Sequence, residues 1–481
     1  MLVRSLLSAV CLLAATATTA SAATLTVTST ADAVDASAGD GTCATADGAC
    51  TLRAAVMEAD AAGGATTITI PAGRYTLSIP PIPEAGSASD MDASNGDLDL
   101  NATIDINGAG AGQTILDGGA IDRYFETSST AVVHISDLTV TNGDSTAGAS
   151  QEIDLGGGIL NKGDITLDRV GLIANKADGG GGMFSIPGTL PLIRDSLIAN
   201  NSAFSGGGLR IDHGGHIINT TITGNSLRTL PADWPTTKPV GATVPTVDEI
   251  SGWGGGIDHR GGADLVIENS TITGNHAVKG GGGIGAGQGY APASDQLPLG
   301  KLHLKNTIIA GNTSATGPQE CRTNQVLFES LGHNIADDDT CFLTGKGDLP
   351  KTNPLLGTLA DNGGPLSTIA LLAGSPAIDA GDDCAKTDAR GVARPQGAAC
   401  DIGAFEYQPP AIAAVPCVRR VALPARLRSR ARSFDVLVGR RVVARHRSPR
   451  ARVRVAGARS VTLRVHLRSG RTVRVRARPA C

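Results

Sequence analysis

Two Asp-His pairs are the residues of this chain best suited to acid–base chemistry. They are Asp212-His213 in RIDHGG and Asp258-His259 in GIDHRGG, and Arg260 follows the second pair. If the 25-residue unit between them projects as a loop, both pairs lie on neighbouring coils of a repeat. Paired carboxylates catalyse glycoside hydrolysis, or hold Ca²⁺ for an elimination in which arginine takes the proton. The alternative is that they are exposed turn residues.

A second acidic group is a candidate calcium site. The stretch SDMDASNGDLDL contains Asp90, Asp92, Asp97 and Asp99. Carboxylate oxygens suit Ca²⁺, but the glycine falls one position late for an EF-hand-like loop. We therefore favour a structural loop, keep calcium binding as the alternative and expect no other cofactor.

The two tryptophans, Trp234 and Trp253, are candidates for ligand contact. Both lie between Leu227 and Trp253, a segment rich in Pro and Thr that interrupts the repeat. Insertions in repeat folds tend to form the binding face. The alternative is an apolar patch that covers the flank of the fold.

These candidates are carried by a repeat with a period near 25 residues. An aliphatic residue, two small residues and an Asn precede a glycine triplet, as in LIANKADGGGGM and ITGNHAVKGGGGI. One such unit cannot bury its apolar face alone, whereas stacked units bury it continuously and pair their backbones. The pattern predicts an all-β fold, a right-handed parallel β-helix, with the repeats at 137–315.

The recurring polar and glycine positions are predicted to form corner columns of this β-helix. Glycine triplets supply the positive φ and close backbone approach that a tight corner needs. Asn tolerates the left-handed conformation, and stacked amides can hydrogen-bond from coil to coil. The predicted amide ladder consists of Asn175, Asn200, Asn225, Asn275 and Asn312. A second polar column is predicted six residues earlier, at Arg169, Arg194, Asn219, Asn269 and Asn306.

Motifs at both ends of the repeat resemble known families of exported proteins. GDGTCATADGACTLRAAVMEAD followed by TITIPAGRYTL resembles the CSLREA-type region, with Thr51 and Ala54 where Ser and Glu are usual. The stretch from NPLLGTLADNGGPLSTIALLAGSPAIDAGDDC to Tyr407 is similar to the choice-of-anchor Q domain. The repeats between them resemble those of polymorphic outer-membrane proteins. The resemblance covers residues 24–407 and implies an exported right-handed parallel β-helix.

The N-terminal residues predict export and a capped β-helix. Met1–Ala22 combines Arg4, a short apolar run and a small-x-small cleavage site, as in a secretory signal peptide. No later stretch reaches the ~20 apolar residues of a spanning helix. A strand and one short helix at Thr51–Ala61 are expected to cover the open end, within a cap and first coils at 23–136.

Eight cysteines follow the signal sequence, an even number that suits disulfides in an oxidising compartment. Chain order favours local pairs, although eight cysteines allow about 105 pairings, and no zinc-ligand spacing is present. The favoured pairs are Cys43 with Cys50, Cys321 with Cys341, Cys384 with Cys400, and Cys417 with Cys481.

Charge separates an acidic body from a basic tail. Residues 417–481 contain 20 Arg, no Lys and one acid, Asp435, which leaves −23 for residues 1–416 of a chain whose net charge is −4. After the last coils at 316–408 and a linker at 409–416, alternating Val and Arg predict a five-stranded antiparallel β-module. Its field attracts polyanions, whereas the lack of interleaved aromatics argues against nucleic acid.

These features predict a secreted or cell-surface protein. We expect an adhesin-like scaffold for glycans, monomeric and without a transmembrane segment, which the basic module retains on an anionic cell-envelope polymer or acidic glycan. The alternative is an extracellular polysaccharide lyase or glycoside hydrolase acting on acidic polysaccharide. The sequence favours the scaffold without excluding the enzyme.

Overall fold

The computed structural model describes eight stretches of the chain. They are residues 23–82, 92–147, 154–230, 252–287, 300–324, 328–409, 419–455 and 461–477. The predicted signal peptide and four of the predicted residues, Asp90, Trp234, Cys417 and Cys481, lie outside these stretches.

Parallel strands from successive coils form the body of the molecule, which confirms the predicted parallel β-helix. Sheet A carries two series of strands: Ala23–Thr26, Thr66–Ile70, Gly73–Thr76, Thr103–Gly108, Thr114–Asp117, Val132–Thr141, Asp164–Ile173, Leu192–Arg194, Leu197–Ala199, Gly215–Ile218, Thr221–Thr223, Leu265–Glu268, Thr271–Thr273, Leu302–Lys305, Ile308–Ala310, Phe328–Gly332 and Ile335–Ala336. Sheet B contains Leu98–Leu100, Phe125–Thr127, Ile159–Asn161, Met183–Ser185, Leu209–Ile211, Ile257–His259, Ile284–Gly287 and Cys321–Asn324. Sheet C contains Ser202–Ala203, Ser226–Leu227, His276–Ala277, Thr313–Ser314 and Gly317–Pro318.

The core consists of aliphatic columns that run through the coils. In sheet A, strand pairing stacks Ile68, Ile106, Ile135, Leu167, Ile193, Ile217, Ile267 and Leu304, all buried. Burying one such side chain contributes about 2 kcal/mol. A coil therefore gains its stability from the coils above and below it.

The amide ladder is present at the corner between sheets A and C, with one correction. Oδ1 of Asn225 accepts the backbone N–H of Asn201 at 3.0 Å, and Asn201 does the same for Asn175 at 2.9 Å. Asn275 and Asn312 continue the ladder. The prediction that Asn200 belongs to the ladder is wrong, because Asn200 is exposed and has a left-handed backbone conformation (φ 57°).

The cause is the strand register, which is shifted by one residue from the alignment of the two LIAN motifs. Gly171 pairs with Leu197, so the LIAN of this coil does not align with the LIAN before it. The second polar column shows the same shift. Arg169, Asp195 and Asn219 have the left-handed conformation, and Arg194 does not. The backbone conformation at the turn, and not the residue type, therefore identifies the equivalent positions of successive coils.

The glycine triplets form a corner at the entrance to sheet B. Their first members are left-handed: Gly156, Gly180, Gly206, Gly254 and Gly281. A Cβ on the central Gly181 would lie 2.4 Å from the carbonyl oxygen of Gly207. The coils pack too closely there for any side chain.

The N-terminal cap contains the helix Leu52–Ala62, capped by the Thr51 hydroxyl and by left-handed Gly63. Buried Arg53 pairs with Asp32 at 2.6 Å. The strand Ala23–Thr26 pairs in parallel with Thr66–Ile70 and so extends sheet A. The end of the stack is thus covered by its own chain.

Residues 353–407 lie along the flank of the β-helix and contain the hairpin Leu356–Ala360 and Thr368–Leu371. Asn219 Nδ2 donates to the Thr387 carbonyl oxygen at 2.9 Å, and the Ala404 N–H donates to Thr271 Oγ1 at 3.0 Å. Buried Arg394 pairs with Glu406 at 3.2 Å. This segment thus covers one side of sheet A.

The chain divides into two compact units between Tyr407 and Gln408. The second unit pairs Arg419–Ala422 with Arg452–Val455, beside the short helix Ala425–Arg428. Its four-stranded antiparallel sheet has the order Arg441–His446, Ala431–Val438, Val461–Leu467 and Thr472–Ala477. The strand Arg419–Ala422 is additional to the five predicted.

Three predicted disulfides are confirmed. The bridges are Cys43–Cys50, Cys321–Cys341 and Cys384–Cys400. They tie the N-terminal cap, the last strand of sheet B and the flank-covering region.

Candidate functional site

The outer face of sheet B carries two of the predicted site residues, Asp99 and Asp258, and others adjoin it. Residues two places after each glycine triplet point away from the core, because side chains alternate along a strand. From coil to coil this outer column is Asp99, Glu126, Leu160, Phe184, Arg210, Asp258, Gly285 and Arg322. It has an acidic end, an apolar middle and an end rich in arginine.

Among the coils from Thr66 to Asn324, the stretches of sequence between one described strand and the next are longest before Leu98, Ile159 and Ile257 and after Gly287. Insertions of a repeat fold commonly flank its binding face. The position of these segments makes the outer face of sheet B the candidate site.

The two Asp-His pairs lie on neighbouring coils, but they do not face each other. Asp258 pairs with Arg210, and His259 pairs with Ile211, so the second pair is offset by two residues from Asp212. The two carboxylates are therefore not directly opposite each other on neighbouring coils. The glycine triplets set this register, and the similar letters IDH do not.

Each of the two carboxylates is held by an arginine of its own strand. Arg210 donates from Nε and Nη2 to the two oxygens of Asp212, at 2.9 and 3.0 Å. Arg260 donates to Oδ2 of Asp258 at 2.9 and 2.7 Å, and Ser205 Oγ donates to the same oxygen at 2.7 Å. Both acids are therefore already neutralised.

Burial separates these groups further from solvent. Asp258 is fully buried and Arg260 is 7% exposed. Burial opposes the charge of Arg210, but Asp212 and Asp258 outweigh it and raise the pKa of Arg210. The two acids thus favour the charged form of the Arg210 guanidinium.

The two histidines lie in buried or crowded positions. His259 is fully buried, and its Nδ1 lies 3.3 Å from the Ile211 carbonyl oxygen. Burial lowers the pKa of His259 to about 4, so the ring is neutral at neutral pH. His213 Nδ1 is buried and has no hydrogen-bond partner among the described residues. Within the described part of the chain, neither ring is hydrogen-bonded to a carboxylate.

Trp253 lies at the arginine-rich end of the outer face. A Cβ on Gly285 would come within 2.8 Å of the Trp253 Cβ, so this glycine makes room for the indole. The guanidinium of Arg322 stacks over the ring at 4.6 Å and donates from Nη1 to the Lys279 carbonyl oxygen at 2.6 Å. The pair is partly exposed.

The acidic end differs from the predicted calcium site. One oxygen each of Asp97, Asp99 and Glu126 lies within 4.8 Å of the others, an oxygen set that suits Ca²⁺. Asp92 is not a member, because it is exposed and accepts hydrogen bonds from Ser94. Glu126 comes from the next coil, and its distance in sequence prevents its recognition as a member of this group.

Two cations already contact this acidic group. Arg123 and Lys162 each donate to a different oxygen of Glu126. Burial opposes the charge of Arg123, but Asp97, Glu126 and other acids nearby raise its pKa. Lys162 and Arg123 were absent from the sequence-based candidates because neither belongs to a recurring motif.

No family model matches this chain, and no curated protein matches it. Among solved structures, the chain is similar to one described as the crystal structure of pectate lyase Pel9A. The sequences are 13% identical, the TM-score is 0.33, and the match covers 80% of this chain and 98% of that chain. This similarity is too weak to carry an argument about function. No helix in the described stretches is long and apolar enough to cross a membrane.

Proposed function

We propose that this protein is an exported β-helix scaffold that binds acidic glycan and is retained on an anionic surface. The observation that carries the proposal is the pairing of the candidate carboxylates. Asp212 and Asp258 are each bound by an arginine two residues away in sequence. Glycoside hydrolysis needs one carboxyl group as acid and a second, free carboxylate, and this arrangement offers neither.

The glycan contact is assigned to the exposed part of the outer face. Trp253 presents an amphipathic ring, and Arg322 retains guanidinium donors beyond the one used by Lys279. Guanidinium groups bind carboxylates in a planar, forked geometry. Sugar acids offer both a ring to pack on the indole and a carboxylate for the arginine.

Export is supported by the three disulfides, which form and persist in oxidising compartments. The leader-like Met1–Ala22 agrees with this. Resemblance to exported proteins with CSLREA-type and choice-of-anchor Q regions points the same way. Retention is assigned to the basic module, whose charge acts on any polyanionic surface.

The proposal is tested by incubating the full chain with oligomers of polygalacturonate. We expect binding without release of unsaturated or reducing ends, and at least about tenfold weaker binding for the double variant W253A/R322A. The variants D212N and D258N keep the shape of the site and are expected to bind as wild type. Turnover that disappears in D258N would contradict the scaffold function.

A polysaccharide lyase is the second candidate, and the acidic end of sheet B favours it. A lyase of this kind uses Ca²⁺ on carboxylates together with a basic side chain. Asp97, Asp99 and Glu126 are the oxygen donors, and Lys162 is adjacent. Unsaturated products that require added Ca²⁺ and are lost in E126Q and K162M would establish this activity instead.

A further inference from the structure

The solvent face of the four-stranded sheet in the second unit has a charge pattern that folding alone does not explain. Strand register places Arg464 directly opposite Arg474, and Thr462 directly opposite Arg476. Residues in such positions have Cα atoms about 5 Å apart, and like charges there are destabilising. Three arginines therefore crowd two adjacent strands.

These guanidinium groups are not neutralised within the described part of the chain. Asp435, the one acid of residues 417–481, lies in the same row between Arg445 and Arg464. Its ion pair is with His466 at 3.3 Å. No carboxylate of the described residues forms an ion pair with Arg464, Arg474 or Arg476.

The opposite face of the sheet explains why the arginines share one side. Val461, Leu463 and Val465 alternate with Thr462, Arg464 and His466 and are buried in the small core of this unit. Arg474 and Arg476 are exposed and Arg464 is half-buried. Side-chain alternation thus concentrates the positive charge on the solvent face.

We propose that Arg464, Arg474 and Arg476, with the Thr462 hydroxyl, form a binding site for the phosphate groups of an anionic polymer. One guanidinium fork binds both oxygens of a planar carboxylate. A phosphate group within a polymer carries two non-bridging oxygens that diverge from a tetrahedral phosphorus, so guanidinium groups from two strands can each bind one of them. The repeated charges of this face suit successive phosphates of a chain. This inference rests on the proposed retention function and names its ligand.

The test uses the full chain and inorganic polyphosphate as the probe. The triple variant R464Q/R474Q/R476Q is expected to bind polyphosphate at least about tenfold more weakly, since it loses several charge-assisted hydrogen bonds. The matched control R426Q/R430Q/R468Q removes the same charge from exposed arginines outside the strands of this sheet. We expect the control to lose less than about threefold, through the general field alone.

Three results would overturn the assignment. Equal losses in the two triple variants would mean that net charge, and not this face, binds the polymer. Equal affinity for polygalacturonate and polyphosphate at matched charge would reject the phosphate preference. Tighter binding to vesicles of phosphatidylglycerol than to polyphosphate would make a bilayer the occupant. W253A/R322A reports the glycan contact of sheet B separately, so failure of one proposal is distinguishable from failure of the other.

Discussion

Polar side chains are stacked from strand to strand in both units of this protein, with opposite outcomes. In the β-helix, each amide of the ladder is satisfied by the next coil, as in the bond from Asn201 Nδ2 to Asn225 Oδ1 at 2.9 Å. In the second unit, Arg464 lies directly opposite Arg474. No carboxylate of the described residues forms an ion pair with either arginine. One column is satisfied within the fold, and we propose that the other is completed by an external anion.

This difference separates scaffold from binding surface. Buried polar groups must be paired, because each unpaired one costs roughly 1–3 kcal/mol. Exposed like charges cost less and remain available to a ligand. The repeated Asn, despite its prominence in the sequence, therefore contributes to the stability of the scaffold, whereas we propose that the arginines contribute to ligand binding.

Among the substitutions compared at one pH, breaking the amide ladder is expected to have the largest effect. Asn225→Gly removes the acceptor for the Asn201 N–H and the donor to the Ile198 carbonyl oxygen, so the free energy of unfolding should fall by about 4 kcal/mol. Tryptophan fluorescence during urea unfolding measures this, because both tryptophans precede residue 408.

Asn200→Gly is the matched control for the ladder. Asn200 is exposed and already has a positive φ of 57°, which glycine adopts freely. Its effect should stay within about 0.5 kcal/mol. Similar losses for the two glycine variants would show that chain flexibility, and not the amide, is responsible.

Removing one partner of the buried pair in sheet B should have the next largest effect. Asp258→Ala leaves the Arg260 guanidinium, which is 7% exposed, without a counter-charge, and should cost about 3 kcal/mol. The double variant D258L/R260L removes both charges and is expected to recover most of that loss in the same urea experiment. A double variant less stable than D258A would contradict the structural role of the pair.

The last amide of the ladder predicts a pH-dependent effect. Asn312 donates its backbone N–H to Oε1 of Glu320 at 3.0 Å. Burial, together with Asp337, raises the pKa of Glu320 to about 9. The folded state therefore holds a proton that the unfolded state releases near pH 4.5, so this stability is present below pH 4.5 and is lost as pH rises to about 9.

The slope from one such group is at most about 1.4 kcal/mol per pH unit. Glu320→Gln keeps the acceptor and a donor but cannot titrate, so the variant should lose less stability than wild type between pH 5 and pH 9. Urea unfolding across this range measures the difference. Parallel curves for the two proteins would show that Glu320 does not hold the proton.

Removing the single acid of the arginine face should have the smallest effect. Asp435→Asn makes the row of Arg445, Arg464 and Arg474 more positive without changing shape. Affinity for polyphosphate should rise about two- to threefold, and the gain should shrink at high salt. Weaker binding would mean that Asp435 positions the arginines instead of competing with the ligand.

The sequence contains more information about the register of the site than a direct comparison of the two IDH motifs reveals. Counting two residues on from each glycine triplet aligns Arg210 with Asp258, as the structure does. Matching IDH to IDH misaligns them by two residues. Counting back from the glycine triplets does not identify the ladder residue in the same way, because Asn175 precedes Gly180 by five residues and Asn275 precedes Gly281 by six.

By itself, the sequence determines the fold class and most positions of the corner columns, and chain order favours the three disulfides that the structure contains. Period, alternation and glycine placement are local properties, and stacking requires every coil to share them. Only the tertiary structure determines which charged residues of different coils lie close together. Glu126 joins Asp97 and Asp99, and residues 353–407 return to the flank of sheet A. Such contacts depend on register and on chain segments far apart in sequence, and no local pattern encodes either.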